Sequence, residues 1–267
     1  MDGLLIDSED AYSAVTNTIL HEHGRPDLPW KIKAQLQGRP GPESSRIFHE
    51  WAKLPISHDE FVAQSTKLQA EAFRHCKPLA GVQILLRTLE QARPKLHLAV
   101  ATSSMRVNFD IKIAPMKNMF SIFAEDQIVT GDDPRVPKGR GKPLPDIYLV
   151  ALQTINDHIR KTSPEEARVR PEECIVFEDS VPGVEAGRRA GMRIVWCPHP
   201  GLLNEYAGLE KEVLAGGTGV HQEEEIERHG VSTIEGSPGQ VGGIDDGWAE
   251  LLQTLEDFRY EKYGINV

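Results

Sequence analysis

The stretch CIVFEDSVPGVEAGRRAGM, residues 174–192, joins a short apolar run to an acidic turn and the start of a helix. The apolar run ends at Glu178 and Asp179, and Ser180 and Pro182 suit the first positions of a helix. Polar residues just past the carboxyl end of a parallel strand lie where open α/β sheets bind their ligands. We therefore predict a functional site at Glu178 and Asp179.

Three further stretches have the composition of short strands. They are KLHLAVATSS at 95–104, the segment 127–130, and RIVWCPHP at 193–200. Helical patterns at 146–156 and 184–190 separate the strands. Strands that alternate with helices form a parallel sheet covered on both faces. The sequence therefore predicts an α/β fold with a Rossmann-like parallel sheet core.

Residues 8–78 show helical patterns and no strand pattern. Ser57 and Glu60 have capping-box spacing, and Pro78 and Gly81 break the chain. The helices predicted in this half of the chain cover 8–23, 30–37, 43–52, 57–76 and, after the break, 82–91. We predict an inserted all-helical cap domain at 8–78 and a core domain formed by 1–7 and 79–267.

The sequence after residue 200 predicts a different structure for each of two successive segments. Residues 201–247 are rich in glycine and glutamate, which favours a flexible insertion within the core domain. From Trp248 to Phe258 the apolar residues have helical spacing, which predicts a final helix docked on the core.

Composition excludes several classes of partner. The 267-residue chain has a formal net charge of −10, which disfavours nucleic acid and anionic membranes. No stretch is apolar enough to span a membrane, and no signal peptide is visible. Cys76, Cys174 and Cys197 share no metal-site spacing. We expect a reduced cytoplasmic protein that works as a monomer.

Chemically informative side chains follow the predicted strands or the opening loop. They are Asp2, Thr102, Lys142 and the pair Glu178 and Asp179. Carboxylates can hold Mg²⁺, lysine can neutralise phosphate charge, and a hydroxyl can bind phosphate oxygens, so the set suits phosphoryl transfer. Each residue also has a plain structural alternative: Thr102 or Asp179 with Ser180 could cap a helix, and Lys142 could be a solvated loop residue.

Four stretches together resemble the haloacid dehalogenase superfamily of phosphatases with a helical cap, in particular its pseudouridine-5'-phosphatase-like branch. The resemblance covers about residues 1–200, and the run of motifs in order is specific. The stretches are MDGLLIDSE at 1–9, LAVATSS at 98–104, TGDDPRVPKGRGKPLPDIYL at 130–149, and 174–192.

The resemblance implies a role for each residue. Asp2 would act as the general acid and base, with its backbone carbonyl facing Mg²⁺, and Lys142 would pair with the nucleophile and the phosphate. Asp179 would bind Mg²⁺, with Glu178 as a ligand or beside one. The substrate-binding residues implied are Gly3, Thr102, Ser103 and, from the cap, Arg39, for which a solvated loop arginine is an equal alternative.

The same resemblance bears on the first residues. The family motif is Asp-x-Asp-Gly, and Asp2 matches its second aspartate, so the nucleophile would lie two positions earlier, before Met1. We expect Met1 to be an internal methionine, the first core strand to precede it, and the chain from Met1 alone to be inactive and poorly stable.

Three functions remain open at this point. The first is a Mg²⁺-dependent phosphatase that hydrolyses a small sugar or nucleoside phosphate, with pseudouridine 5'-phosphate a candidate, through an aspartyl-phosphate intermediate. The second is a truncated, non-catalytic binding protein of the same fold. The third is a sugar phosphomutase, which Tyr12 disfavours because such mutases carry histidine there.

Overall fold

The computed structural model describes residues 1–38, 41–217 and 241–266. Its strands form two parallel sheets, one of order β1-β2 and one of order β3-β4-β5. The strands are β1 (Val100–Ala101), β2 (Ile128–Val129), β3 (Ile175–Glu178), β4 (Arg193–Trp196) and β5 (Ala249–Leu251). The predicted parallel α/β fold is confirmed, and Thr102 and Asp179 directly follow the carboxyl ends of β1 and β3.

Helices of the core alternate with these strands. They are α5 (Val82–Gln91), α6 (Arg106–Ile113), α7 (Lys117–Phe120), α8 (Asp146–Thr162), α9 (Val181–Arg189), α10 (Pro200–Glu205) and α11 (Glu210–Ala215). Of these, α8, α9 and α11 contact the strands directly. One apolar cluster joins Ile6, Leu85 and Phe109, and a second joins Leu149 to Trp196. Burial of these faces supplies the main stabilisation of the layers.

Four helices form the predicted cap. They are α1 (Ser8–Glu22), α2 (Trp30–Leu36), α3 (Gly41–Ala52) and α4 (His58–Ala72). The capping box at the start of α4 is present, with the Ser57 N–H donating to Glu60 Oε2 at 2.8 Å and the Glu60 N–H donating to Ser57 Oγ at 3.2 Å. Leu20, Phe48 and Ala52 form a separate apolar cluster inside the cap.

The two chain segments that connect cap and core are paired with each other. The Asp7 N–H donates to the Lys77 carbonyl at 3.0 Å, and the Lys77 N–H donates to Asp7 Oδ1 at 2.6 Å. We propose this pairing as the hinge, which supports the division into a cap at 8–78 and a core.

Two predictions for the last part of the chain are corrected. Trp248 to Phe258 does not form the predicted helix. The Ile194 N–H donates to the Trp248 carbonyl at 2.9 Å, and the residues that follow pair with the edge of β4 as strand β5. The flexible insertion predicted from 201 does not begin there, since α10 and α11 bury Leu202 and Val213 in the core. The remainder of that insertion, 218–240, lies outside the described residues.

Across the described ranges we find no helix with the length and apolar character that a bilayer crossing requires.

Candidate active site

The Asp2 carboxylate is held by three side-chain donors. Its Oδ1 accepts from Ser8 Oγ at 2.6 Å and from Lys112 Nζ at 2.5 Å, and its Oδ2 accepts from Ser104 Oγ at 2.8 Å. Burial raises the pKa of Asp2, but the charge of the Lys112 ammonium and the hydrogen bonds from Lys112 and Ser8 favour the ionised form, and the pKa lies below its ordinary value. Asp2 is therefore ionised at neutral pH and fixed in one orientation.

Lys112 is a site residue that the sequence analysis missed. Its side chain is fully buried, and its ammonium also donates to Tyr12 OH and Ser104 Oγ, each at 2.8 Å. The same ammonium lies 4.6 Å from the ring centre of Tyr12 and 4.5 Å from that of Phe73. A signal existed, because Lys112 follows the buried Phe109 by three positions in α6 and so shares its face.

Replacing Lys112 with methionine is expected to lower the free energy of unfolding by about 3–5 kcal/mol, since it leaves the Asp2 carboxylate without its cation in a buried site. Urea denaturation measures the change. The exposed Lys117 serves as a matched control, and Lys117→Met should change stability by less than about 0.5 kcal/mol. Equal effects of the two substitutions would contradict the assignment of Lys112 as the partner of Asp2.

The loop after β1 brings hydroxyl groups toward Asp2. Thr102 is buried and its Oγ1 accepts from the Ser104 N–H at 3.2 Å, while Ser103 is exposed. Gly131 lies against this loop, and a Cβ at that position would be 2.2 Å from the Ser103 carbonyl oxygen. Thr102 does not cap α6, whose N-cap residue is Met105, so the plain structural alternative for Thr102 does not hold.

Lys142 and Glu178 form a buried ion pair at the end of β3. Glu178 Oε1 accepts from Lys142 Nζ and, at 2.6 Å, from Tyr148 OH. Glu178 Oε2 accepts from the N–H groups of Asp179 and Ser180 at 3.0 and 2.9 Å and from Ser180 Oγ at 3.0 Å. Burial raises the pKa of Glu178, but Lys142 outweighs it and holds the pKa at about 2. Both oxygens of Glu178 thus have protein donors, and Lys142 is no solvated loop residue.

Asp179 has a different environment from Glu178. It is buried, its Oδ2 accepts from Gln37 Nε2 at 2.5 Å, and its backbone carbonyl accepts from Trp196 Nε1 at 3.0 Å. No ion pair to Asp179 is found within the described ranges. Burial, followed by the charges of Glu178 and Glu9, raises the pKa of Asp179 well above its ordinary value.

Gly3 is the point where the Asp2 and Asp179 groups meet. It has a positive φ of 62°, and a Cβ there would lie 2.4 Å from Asp179 Oδ2 and 2.7 Å from Glu9 Cγ. A side chain at this position would displace the carboxylate of Asp179. Only glycine suits both the backbone conformation and the space.

The predicted magnesium site can be tested against these residues. Among the residues that the structure describes, no group of three histidine, cysteine, aspartate or glutamate side chains is arranged to hold a metal ion. The Asp179 carboxylate nevertheless fits a hard cation, because it is a buried oxygen ligand with two carboxylate neighbours and forms no ion pair with another described residue. Glu178 fits less well, because its oxygens already accept hydrogen bonds.

The remaining predicted residues are placed as follows. Arg39 lies outside the described residues. No hydrogen bond joins Thr102 to Lys142 in the described part of the chain, so the site consists of an Asp2 group and an Asp179 group that meet at Gly3. The residues that sequence reasoning missed are Ser8, Gln37, Ser104, Lys112 and Tyr148.

Comparisons with known proteins bear on this site. The sequence model described as "Haloacid dehalogenase-like hydrolase" matches residues 1–197. A Saccharomyces cerevisiae protein named "Probable pseudouridine-5'-phosphatase" is 36% identical over 265 residues, which cover 99% of this chain and 94% of that one. The Arabidopsis thaliana protein named "(DL)-glycerol-3-phosphatase 1, mitochondrial" is 30% identical over 217 residues, which cover 80% of this chain and 67% of that one.

A similar protein of known structure is a HAD family hydrolase from Deinococcus radiodurans R1, crystallised with bound phosphate and sodium. It has a TM-score of 0.56 and 26% sequence identity, with 82% of this chain and 94% of that chain covered.

Proposed function

The chain belongs to the haloacid dehalogenase-like hydrolase family, and from that premise we propose that it is a Mg²⁺-dependent phosphatase that acts on a small phosphorylated metabolite. The observation that carries the proposal is the meeting of Asp2 and Asp179 at Gly3. One carboxylate is paired with a buried lysine, while the other is buried and forms no ion pair in the described part of the chain. A phosphate and a hard cation together complement such a pair of groups.

Asp2 is proposed as the acid–base residue. Ser8, Ser104 and Lys112 fix its carboxylate, and its low pKa keeps it ionised. An ionised carboxylate suits the removal of a proton from the water that hydrolyses a phosphoryl intermediate. The family motif implies an attacking aspartate two positions before Asp2, and that residue would form the aspartyl phosphate.

Lys142 and the β1 loop are proposed to bind the phosphoryl group. The Lys142 ammonium is fixed by Glu178, which Tyr148 and Ser180 hold in turn. Its positive charge offsets the negative charge of a phosphoryl group, and Thr102 and Ser103 supply hydroxyl donors. Asp179 and the carbonyl of Asp2 would hold Mg²⁺, which would neutralise phosphate charge when bound.

The names of the relatives suggest the class of substrate. Pseudouridine 5'-phosphate and glycerol phosphate are both phosphate monoesters of hydroxylated alcohols, and we propose a substrate of that class. Arg39, which would approach the leaving group from the cap, stays a prediction.

Phosphate release from a panel of phosphorylated metabolites tests the proposed function. The protein as its gene encodes it is expected to hydrolyse at least one sugar, polyol or nucleoside monophosphate with added Mg²⁺, and to lose that activity when EDTA removes the metal. Hydrolysis that is undiminished in EDTA would refute the metal dependence. The lack of hydrolysis across the panel would refute the phosphatase.

We also propose that the protein works as a cytoplasmic monomer. All three cysteines are free thiols, and burial raises the pKa of Cys76 to about 11, of Cys174 to about 12 and of Cys197 to about 11. Thiols with such pKa values stay protonated and unreactive, which suits a reduced protein.

A further inference from the structure

Two histidines of the cap meet outside the Asp2 and Asp179 groups. His49, on α3, places its Nε2 3.1 Å from Nδ1 of His58, the first residue of α4. Ser45 precedes His49 by one turn of α3, and its Oγ lies 2.9 Å from the same His58 nitrogen. A neutral imidazole nitrogen carries either one N–H or one lone pair, so His58 Nδ1 cannot form a full hydrogen bond with both neighbours. Three atoms that can each donate an electron pair therefore crowd one point of the cap.

The positions of both rings are fixed by the cap. The His49 ring makes edge contacts with Phe48 and Phe61, whose ring centres lie 5.4 and 5.3 Å away. Phe48 belongs to the apolar cluster of the cap, so these contacts hold His49 from its buried side. His58 directly follows Ser57, whose capping box fixes the first turn of α4. Rigid helices, rather than flexible loops, thus hold the two nitrogens near each other.

The histidine pair can be reached from solvent and is available to a metal ion. His58 is exposed, while Ser45 and His49 are half-buried. Burial, followed by the charge of His58, lowers the pKa of His49 below its ordinary value. His49 is therefore neutral at pH 7, and a neutral imidazole binds a metal through one nitrogen while its proton occupies the other.

The ligand atoms favour a transition metal over Mg²⁺. Imidazole nitrogen suits Cu²⁺, Ni²⁺ and Zn²⁺, whereas Mg²⁺ prefers oxygen. An ion at about 2.0–2.1 Å from each of two nitrogens that are 3.1 Å apart would have an N–metal–N angle of about 100°, which lies between the octahedral and tetrahedral angles. No third histidine, cysteine, aspartate or glutamate joins the pair among the described residues, so the Ser45 hydroxyl and water would complete the ligand set.

We propose that His49 and His58 form a binding site for a divalent transition-metal ion of the class Cu²⁺, Ni²⁺ and Zn²⁺. The bound ion links α3 to the first turn of α4 and so stabilises the cap. The site shares no residue with the proposed Mg²⁺ site, so the two can be tested separately.

Titration of the whole chain with Ni²⁺ tests the inference. Isothermal titration calorimetry in excess Mg²⁺, which competes for the carboxylates, measures Kd. His58→Ala is expected to weaken the binding of Ni²⁺ at least about 10-fold, because a chelate of two imidazoles becomes a single ligand. In the native protein Cu²⁺ should bind more tightly than Ni²⁺ and Co²⁺ less tightly, following the order of affinity of these metals for nitrogen ligands.

His75 provides the control. It is an exposed histidine of the cap that lies 3.3 Å from the Glu71 carboxylate, so His75→Ala should keep the native Kd for Ni²⁺. Ni²⁺ should also raise the Tm of the native protein and of His75→Ala more than that of His58→Ala. Equal Kd values in the native protein and His58→Ala, or an equal loss of affinity in both variants, would overturn the inference.

Electron paramagnetic resonance with one equivalent of Cu²⁺ identifies the ligands without relying on the stability of a variant. The native spectrum is expected to show coupling to two imidazole nitrogens, and His49→Gln should leave at most one. A native spectrum that shows oxygen ligands alone would overturn the inference. None of these measurements uses a substrate, so a failed metal site leaves the proposed phosphatase standing, and a failed phosphatase leaves the metal site standing.

Discussion

Replacing Lys142 with methionine is expected to lower kcat/KM for phosphate-ester hydrolysis by at least about 100-fold, because a charge that stabilises the transferring phosphoryl group is lost. The same change should lower the free energy of unfolding by about 3–5 kcal/mol, since the buried Glu178 loses its cation. Steady-state kinetics and urea denaturation measure the two effects separately. The exposed Lys161, on α8, serves as the matched control in Lys161→Met.

A double variant separates catalysis from folding. In Lys142→Met with Glu178→Gln, the glutamine can turn its oxygen to the N–H groups of Asp179 and Ser180 and its NH₂ group to Tyr148 OH. No unpaired charge remains, so stability should recover most of its loss while kcat/KM stays low. Recovery of activity together with stability would show that Lys142 acts only through folding.

The Asp179→Asn variant is the second prediction with a large effect. At limiting Mg²⁺, kcat/KM should fall by at least about 100-fold, because a neutral amide is a poor ligand for a hard cation. Without metal, the variant should unfold at a higher temperature than the native protein, since a buried charge beside Glu178 and Glu9 is removed. Steady-state kinetics at limiting Mg²⁺ measures the first effect, and scanning calorimetry in EDTA measures the second.

The metal-dependent shift in unfolding temperature is the sharper readout for Asp179. Mg²⁺ should raise the Tm of the native protein and leave that of Asp179→Asn unchanged, because a ligand stabilises only the protein that binds it. Asp157→Asn, at a surface position paired with Arg160, is the matched control and should keep the native shift. An undiminished Mg²⁺ shift in Asp179→Asn would remove Asp179 from the metal site.

Local patterns predicted much of the fold. The apolar stripe at 82–91 matches the bounds of α5, and the capping box at Ser57 marks the start of α4. Both features depend on residues within a few positions of one another, so the sequence displays them directly. The four apolar stretches also predicted strands β1 to β4, because polar residues mark the ends of these strands.

Contacts distant in sequence account for what was missed. The apolar spacing from Trp248 to Phe258 suits a helix. Pairing with the edge of β4 outweighs this local preference, and Ala249–Leu251 form strand β5 instead. Lys112 is 110 positions from Asp2, and Gln37 is 142 positions from Asp179. The spacing from Phe109 marks Lys112 as lying on the buried face of α6, but neither Lys112 nor Gln37, which follows α2, carries a local mark of its partner, so only the folded chain identifies the two pairs.

The stacking of Trp30 on His199 bears on the rate at which the cap can open. Trp30 of α2 stacks on His199 of the core and Gln37 is bonded to Asp179, so opening the cap at this point would break both contacts. Under the proposed function, each cycle then requires the cap to open, and product departure competes with chemistry for the slow step. A stronger contact between α2 and the core would exclude water better but would slow product release. The strength of the Trp30–His199 stack would therefore affect kcat.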